Sequence, residues 1–121
     1  MKILIVDDEK SILEETAETL TDEGYDCLVA SNVGEAVEII KSTIDISLIL
    51  TDMQMPDETG ADLIKIVQAD LGKNIKFILM SGHASAKIQG NGIDFRLFPF
   101  LRKPLNVENL IEKVNSVLKS N

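Results

Sequence analysis

Short apolar runs, each broken off by a polar residue, constrain this chain more than any other feature. Ile3-Leu4-Ile5-Val6 is continuously apolar, Ile46 to Leu50 is nearly so, and Ile75 to Met80 is a third such run. A strand with one wet face alternates apolar and polar residues. A continuous run instead belongs to a strand covered on both faces, the signature of a parallel sheet between two helical layers. The runs are far too short to span a membrane, and charges follow the first at Asp7 and Asp8, so it is not a leader peptide either.

Helical periodicity fills the intervals. Residues 11 to 23 place Ile12, Leu13, Ala17 and Leu20 among acidic residues, with a stop at Gly24. Cys27 to Ala30 is the second strand. Asn32 with Glu35 three residues on predicts a capping box, opening a helix with Val33, Ala36, Val37 and Ile40 on one face. After the third strand, the turn Met55 to Gly60 leads into a helix over 61–71 carrying Leu63, Ile64, Val67 and Leu71. Between Ala84 and Leu97 no apolar stripe forms and Gly90 and Gly92 intervene, so a helix there is short or irregular. Pro99 to Arg102 is a brief fifth strand. The final helix has the cleanest stripe: Val107, Leu110, Ile111, Val114, Val117 and Leu118. Strands alternating with helices imply an open parallel α/β sheet with helices on both faces.

Length and charge remove other classes. One domain accounts for 121 residues, and a formal net charge of -8 without a basic cluster argues against direct nucleic-acid or anionic-membrane binding. Cys27 is the single cysteine, so no internal disulfide forms. A soluble cytoplasmic protein is the expectation.

The chemistry lies at the strand ends. Asp7 and Asp8 follow the first strand, Asp52 the third, Ser81 the fourth and Lys103 the fifth. Open parallel sheets bind ligands at the carboxyl ends of their strands, so residues distant in sequence converge there. Three close carboxylates repel one another unless a cation neutralises them, and a hard divalent ion such as Mg2+ takes oxygen ligands of this kind. Lys103 adds a point charge for a phosphate oxygen and Ser81 a hydroxyl donor. Phosphoryl transfer needs mainly positioning and charge neutralisation, and an aspartate can itself be the nucleophile, so Asp52 is the natural acceptor.

These pieces resemble the receiver domain of two-component response regulators, over essentially the whole chain: Ile3 to Glu9, Leu50 to Pro56, Gly60, Met80-Ser81-Gly82 and Lys103-Pro104. The resemblance, to a chemotaxis-receiver-like domain, implies one receiver domain over 1–121. Its fold would be flavodoxin-like: a doubly wound five-stranded parallel sheet of order 2-1-3-4-5, with the fourth helix short or irregular. It implies that Asp52 accepts the phosphoryl group and that Asp7, Asp8, Asp52 and the backbone carbonyl of Gln54 hold Mg2+. Ser81 and Lys103 would contact the phosphoryl group, and Ser81 and Phe100 would form the switch. The Lys103-Pro104 bond matches a position usually cis in the family. Gln54 and His83 flank the expected phosphate as kinetic modulators. Phe100 stands where relatives often have Tyr. The implied donor is a histidine kinase or histidine phosphotransfer protein. The implied role is a phosphorelay switch without independent enzymatic turnover, acting as a monomer or a phosphorylation-dependent dimer.

Three other readings compete. A receiver cut from a hybrid histidine kinase or multidomain regulator would show the same residues. A haloacid-dehalogenase-type phosphatase would require Asp-x-Asp after the first strand, whereas position 9 is Glu. A degenerate, purely protein-binding receiver would be expected to lack some of the five key side chains, and all are present.

Overall fold

The computed structural model describes residues 1–55, 58–82, 89–90 and 93–119. Among these residues, strands and helices occur in the order β1 (Lys2–Val6), α1 (Lys10–Asp22), β2 (Asp26–Ala30), α2 (Val33–Ser42), β3 (Ile46–Asp52), α3 (Gly60–Lys65), β4 (Lys76–Ser81), β5 (Gln89–Gly90), β6 (Ile93–Asp94), β7 (Phe100–Arg102) and α4 (Val107–Lys119). Five strands form one sheet in the order β2-β1-β3-β4-β7, all parallel, which is the expected flavodoxin-like order with β7 as the fifth strand.

The uninterrupted apolar runs supply both cores at once because successive side chains of a strand point to opposite faces. Leu4, Val6, Ile49 and Leu79 face one layer with Ala36 and Ile40 of α2, Leu63 of α3 and Val67 just past its end. Ile3, Ile5, Leu48, Leu50, Ile78 and Met80 face the other, with Leu13 and Leu20 of α1 and Leu110 and Val114 of α4. Each fully buried aliphatic side chain contributes about 1.5–3 kcal/mol relative to exposure, so neither layer can be dropped. No helix among the described residues is long and apolar enough to cross a membrane.

Several local expectations are adjusted. The third strand runs on to Asp52 and the fourth to Ser81, so both residues close their strands and do not follow them. The ladder accounts for this: Asp52 is in register with Met80, and the Met53 N–H donates to the Met80 carbonyl at 2.8 Å. Asn32 caps α2 by accepting from the Glu35 N–H at 2.8 Å, but the Glu35 carboxylate bonds Ser31 and does not return to Asn32. The reciprocal capping box occurs instead at α3, between Thr59 and Asp62. That helix leaves α geometry after Lys65 and ends in a wider π turn, Ile66–Asp70. Val107 does not join the apolar stripe of α4, being 56% exposed in its first turn. Between β4 and β7 the described residues form the small antiparallel pair β5-β6 and one 3-10 turn, Phe95–Leu97, in keeping with an irregular fourth crossover. Gly24, at φ +96°, ends the first helix as expected.

Candidate functional site

Parallel register carries the strand ends to one edge. Val6 is level with Thr51, Asp52 with Met80, and Ser81 with Arg102. The residues just beyond these rungs are Asp7 and Lys103. The Asp7 N–H bonds the Ala30 carbonyl at 3.2 Å and the Lys103 N–H bonds the Ser81 carbonyl at 2.8 Å, so both extend the sheet before their chains turn away. Side chains on extended backbone at a sheet edge are held more rigidly than loop residues, which suits a site that depends on position.

Carboxylate oxygens of Asp7, Asp8 and Asp52 all lie within 4.8 Å of one another. Asp7 and Asp52 are buried and Asp8 is exposed, so the cluster opens to solvent on one side. Lys103 reaches into it. Its ammonium lies 2.6 Å from Asp7 Oδ2, 3.3 Å from Asp52 Oδ2 and 3.6 Å from Glu9 Oε1. Backbone donors orient the other carboxylate oxygens: the Glu9 N–H donates to Asp7 Oδ1 at 2.9 Å and the Gln54 N–H to Asp52 Oδ1 at 3.3 Å.

The electrostatics follow from this geometry. Burial pushes the Asp52 carboxyl from 3.8 up to about 6; Lys103 opposes the shift and Asp7 adds to it. Burial likewise raises Asp7, with Lys103 only partly offsetting it. Burial alone would lower the Lys103 pKa, but Asp7 and Asp52 outweigh it and hold the ammonium charged above its usual range. Among the described residues, the Lys103 ammonium therefore serves two buried carboxylates and incompletely neutralises them.

A hard divalent ion fits the deficit. The donors are all oxygens, and Asp7 Oδ2, though buried beside Lys103, receives no properly directed hydrogen bond among the described residues. Its close partner, the Lys103 ammonium, is shared with Asp52 and Glu9, so a cation bound at this oxygen would offset the remaining cost of burying its charge. Oxygen donors of this number and charge suit Mg2+.

The remaining sequence candidates fall as follows. Ser81 is buried at the end of β4. Gln54 is exposed and touches the site through its backbone N–H. Phe100 is 38% exposed, an outward position for an aromatic side chain in a strand. The Lys103-Pro104 bond is cis. His83 lies outside the described residues.

Two contributions were not read from the sequence. Glu9 reaches Lys103 from the position preceding α1, where Ser, Thr, Asp or Asn would normally cap the helix and where Glu9 makes no side-chain cap. Gly60 belongs to the sequence motif, and the structure supplies its reason. A Cβ there would lie 2.9 Å from the Asp52 carbonyl oxygen and 3.2 Å from Met53 Cα, so only glycine lets α3 start this close to the acceptor strand.

Comparison with known proteins agrees with this geometry. The family model described as "Response regulator receiver domain" matches residues 3–115. Chemotaxis protein CheY1 of Helicobacter pylori is 32% identical over 123 residues, covering 100% of this chain and 99% of the relative. The transcriptional regulatory protein CpxR of Escherichia coli is 27% identical over 118 residues, covering 98% of this chain but 49% of CpxR, so the chain spans about half the length of that relative. Among solved structures, the response regulator TrrA of Thermotoga maritima, solved in complex with Mg(2+)-BeF, superposes with a TM-score of 0.80 at 28% identity, covering 96% of this chain and 97% of TrrA.

Proposed function

Because the chain belongs to the response regulator receiver domain family, we propose that it is a single receiver domain over 1–121 in which Asp52 accepts a phosphoryl group with Mg2+ bound. The observation that carries this reading is the placement of Asp52: a buried carboxylate 3.3 Å from the Lys103 ammonium, with carboxylate oxygens of Asp7 and Asp8 within 4.8 Å. Asp7, Asp8, Asp52 and, by family pattern, the Gln54 carbonyl would hold the ion. When bound, it neutralises the carboxylates and the negative charge of the incoming phosphoryl oxygens.

The chain's own residues do the rest. The Gln54 N–H fixes one Asp52 oxygen and leaves the other as nucleophile. An Asp52 oxygen bonds to phosphorus as the phosphorus–nitrogen bond of a donor phosphohistidine breaks, and the imidazole nitrogen leaves with the electron pair. Lys103 moves from Asp52 Oδ2 to a phosphoryl oxygen, exchanging one anionic partner for another. Ser81, at the adjoining strand end, donates its hydroxyl to the same group, and Phe100 then turns inward from its exposed position. Gln54 and His83 would tune how fast water reaches the acyl phosphate. The donor is a histidine kinase or phosphotransfer protein, and the module signals in the cytoplasm without an independent turnover substrate, as a monomer or a phosphorylation-dependent dimer. Whether it acts alone or within a longer regulator or hybrid kinase is a choice of output and leaves the site unchanged.

Incubation with acetyl phosphate and Mg2+, followed by intact-mass measurement, tests the reading. The protein is expected to gain one phosphoryl group, and neither Asp52→Ala nor EDTA-treated protein should do so. No gain, or an equal gain in Asp52→Ala, refutes it.

A further inference from the structure

Lys103 is held by three carboxylates, and only two of them belong to the metal and phosphoryl chemistry. Asp7 and Asp52 are buried and approach its ammonium at 2.6 and 3.3 Å. Glu9 approaches at 3.6 Å with a side chain 59% exposed, against 11% for Lys103. The lysine therefore stands between two inner anions and one outer anion. Glu9 is placed for this by the backbone. Its N–H donates to Asp7 Oδ1 at 2.9 Å, tying it to the site, while its carboxylate makes no cap on α1 although it occupies the N-cap position.

We infer that Glu9 is a positioning residue that holds Lys103 toward solvent and so limits how tightly the site grips a phosphoryl group. The inference rests on the receiver reading above. With a phosphoryl group on Asp52 and Asp7 and Asp8 holding a divalent ion, Lys103 would have two competing anionic partners: the phosphoryl oxygens and Glu9. Contact with Glu9 favours the unphosphorylated arrangement. An ion pair at 3.6 Å whose carboxylate is mostly exposed to solvent is worth about 1 kcal/mol or less, which corresponds to about a two- to five-fold change in the affinity of the site for a phosphoryl mimic. The effect is a trim on the switch and leaves acceptor chemistry intact.

Beryllofluoride binding at saturating Mg2+, followed by NMR titration or calorimetry, measures it without phosphoryl turnover. Glu9→Gln is expected to bind about two- to five-fold more tightly than wild type. Glu9→Asp keeps the charge, shortens the reach and supplies a good helix cap, so it should follow Glu9→Gln. Glu14→Gln removes the same charge from the next turn of α1, where Glu14 faces Lys10 at 3.8 Å, and should behave as wild type. Equal affinity in Glu9→Gln and wild type, a wild-type affinity in Glu9→Asp, or an equal gain in Glu14→Gln would each overturn the role of Glu9 while leaving the receiver reading standing. Failure of the wild-type protein itself to bind beryllofluoride overturns both.

Discussion

Replacing Asp52 by Asn should stabilise the metal-free protein at neutral pH, although it removes the proposed acceptor. The Asp52 carboxyl has a folded-state pKa of about 6 against 3.8 for the free group. The folded state thus holds the proton more tightly than the unfolded chain. Its contribution to stability is full below pH 3.8 and is lost as pH rises through about 6. A difference of roughly two pKa units corresponds to about 3 kcal/mol at pH 7. Asn is uncharged, keeps an acceptor for the Gln54 N–H and avoids this loss. Asp7 is raised for the same reason and has the same sign. Glu35 and Asp94 are lowered and act oppositely, but only as pH falls below the ordinary carboxylate range. Thermal melts of wild type and Asp52→Asn in EDTA from pH 4.5 to 7.5 measure the effect, together with the smaller relief of Asp7, whose charge repels that of Asp52 and whose response has the same sign. At pH 7.5 the variant should be more stable by about 2–3 kcal/mol, or about 5–15 °C in Tm. The gap should close toward pH 4.5. Added Mg2+ should raise wild type more than the variant. A variant melting at or below wild type at pH 7.5, or a gap independent of pH, would refute the claim that burial dominates at this carboxylate.

Two further outcomes follow from the same geometry. Lys103→Met leaves Asp7 and Asp52 buried without their cation; in EDTA at pH 7 urea unfolding should show a loss of about 3 kcal/mol, largely recovered by Mg2+, and stability equal to wild type would count against the ion-pair account. Gly60→Ala forces a Cβ to 2.9 Å from the Asp52 carbonyl oxygen and should cost about 1–3 kcal/mol in the same assay at unchanged urea m-value; a neutral result would mean that α3 can back away freely.

The sheet was legible because its strands are buried on both faces and so advertise themselves as unbroken apolar runs. The site was legible because parallel strands deliver their carboxyl ends to one edge, making Asp7, Asp8, Asp52 and Lys103 neighbours whatever the intervening helices do. What escaped notice depends on distances that no pattern encodes. The strands outran the apolar residues by one or two positions because hydrogen bonding to β4 and β7 continues through Asp52 and Ser81. Glu35 bonds Ser31 and leaves Asn32, a choice between two adjacent donors that spacing alone cannot make. Val107 fits the periodicity of α4 yet is 56% exposed in its first turn, and spacing alone does not say which turn of a helix is covered. The segment between β4 and β7 gave no periodic signal, and its described residues contain no α-helix to produce one.

The strand order β2-β1-β3-β4-β7 also has a temporal side. The carboxylates come from residues 7, 8 and 52, whereas the cation that partly balances them sits at residue 103, just past the edge strand β7, which pairs with β4. Any species in which the first four strands have associated and β7 has not, such as a chain still emerging from the ribosome, holds three converging carboxylates with no lysine among them. Until β7 docks, protons or a divalent ion are the counter-charges at hand, so the ion binding proposed for the finished domain would also favour its assembly.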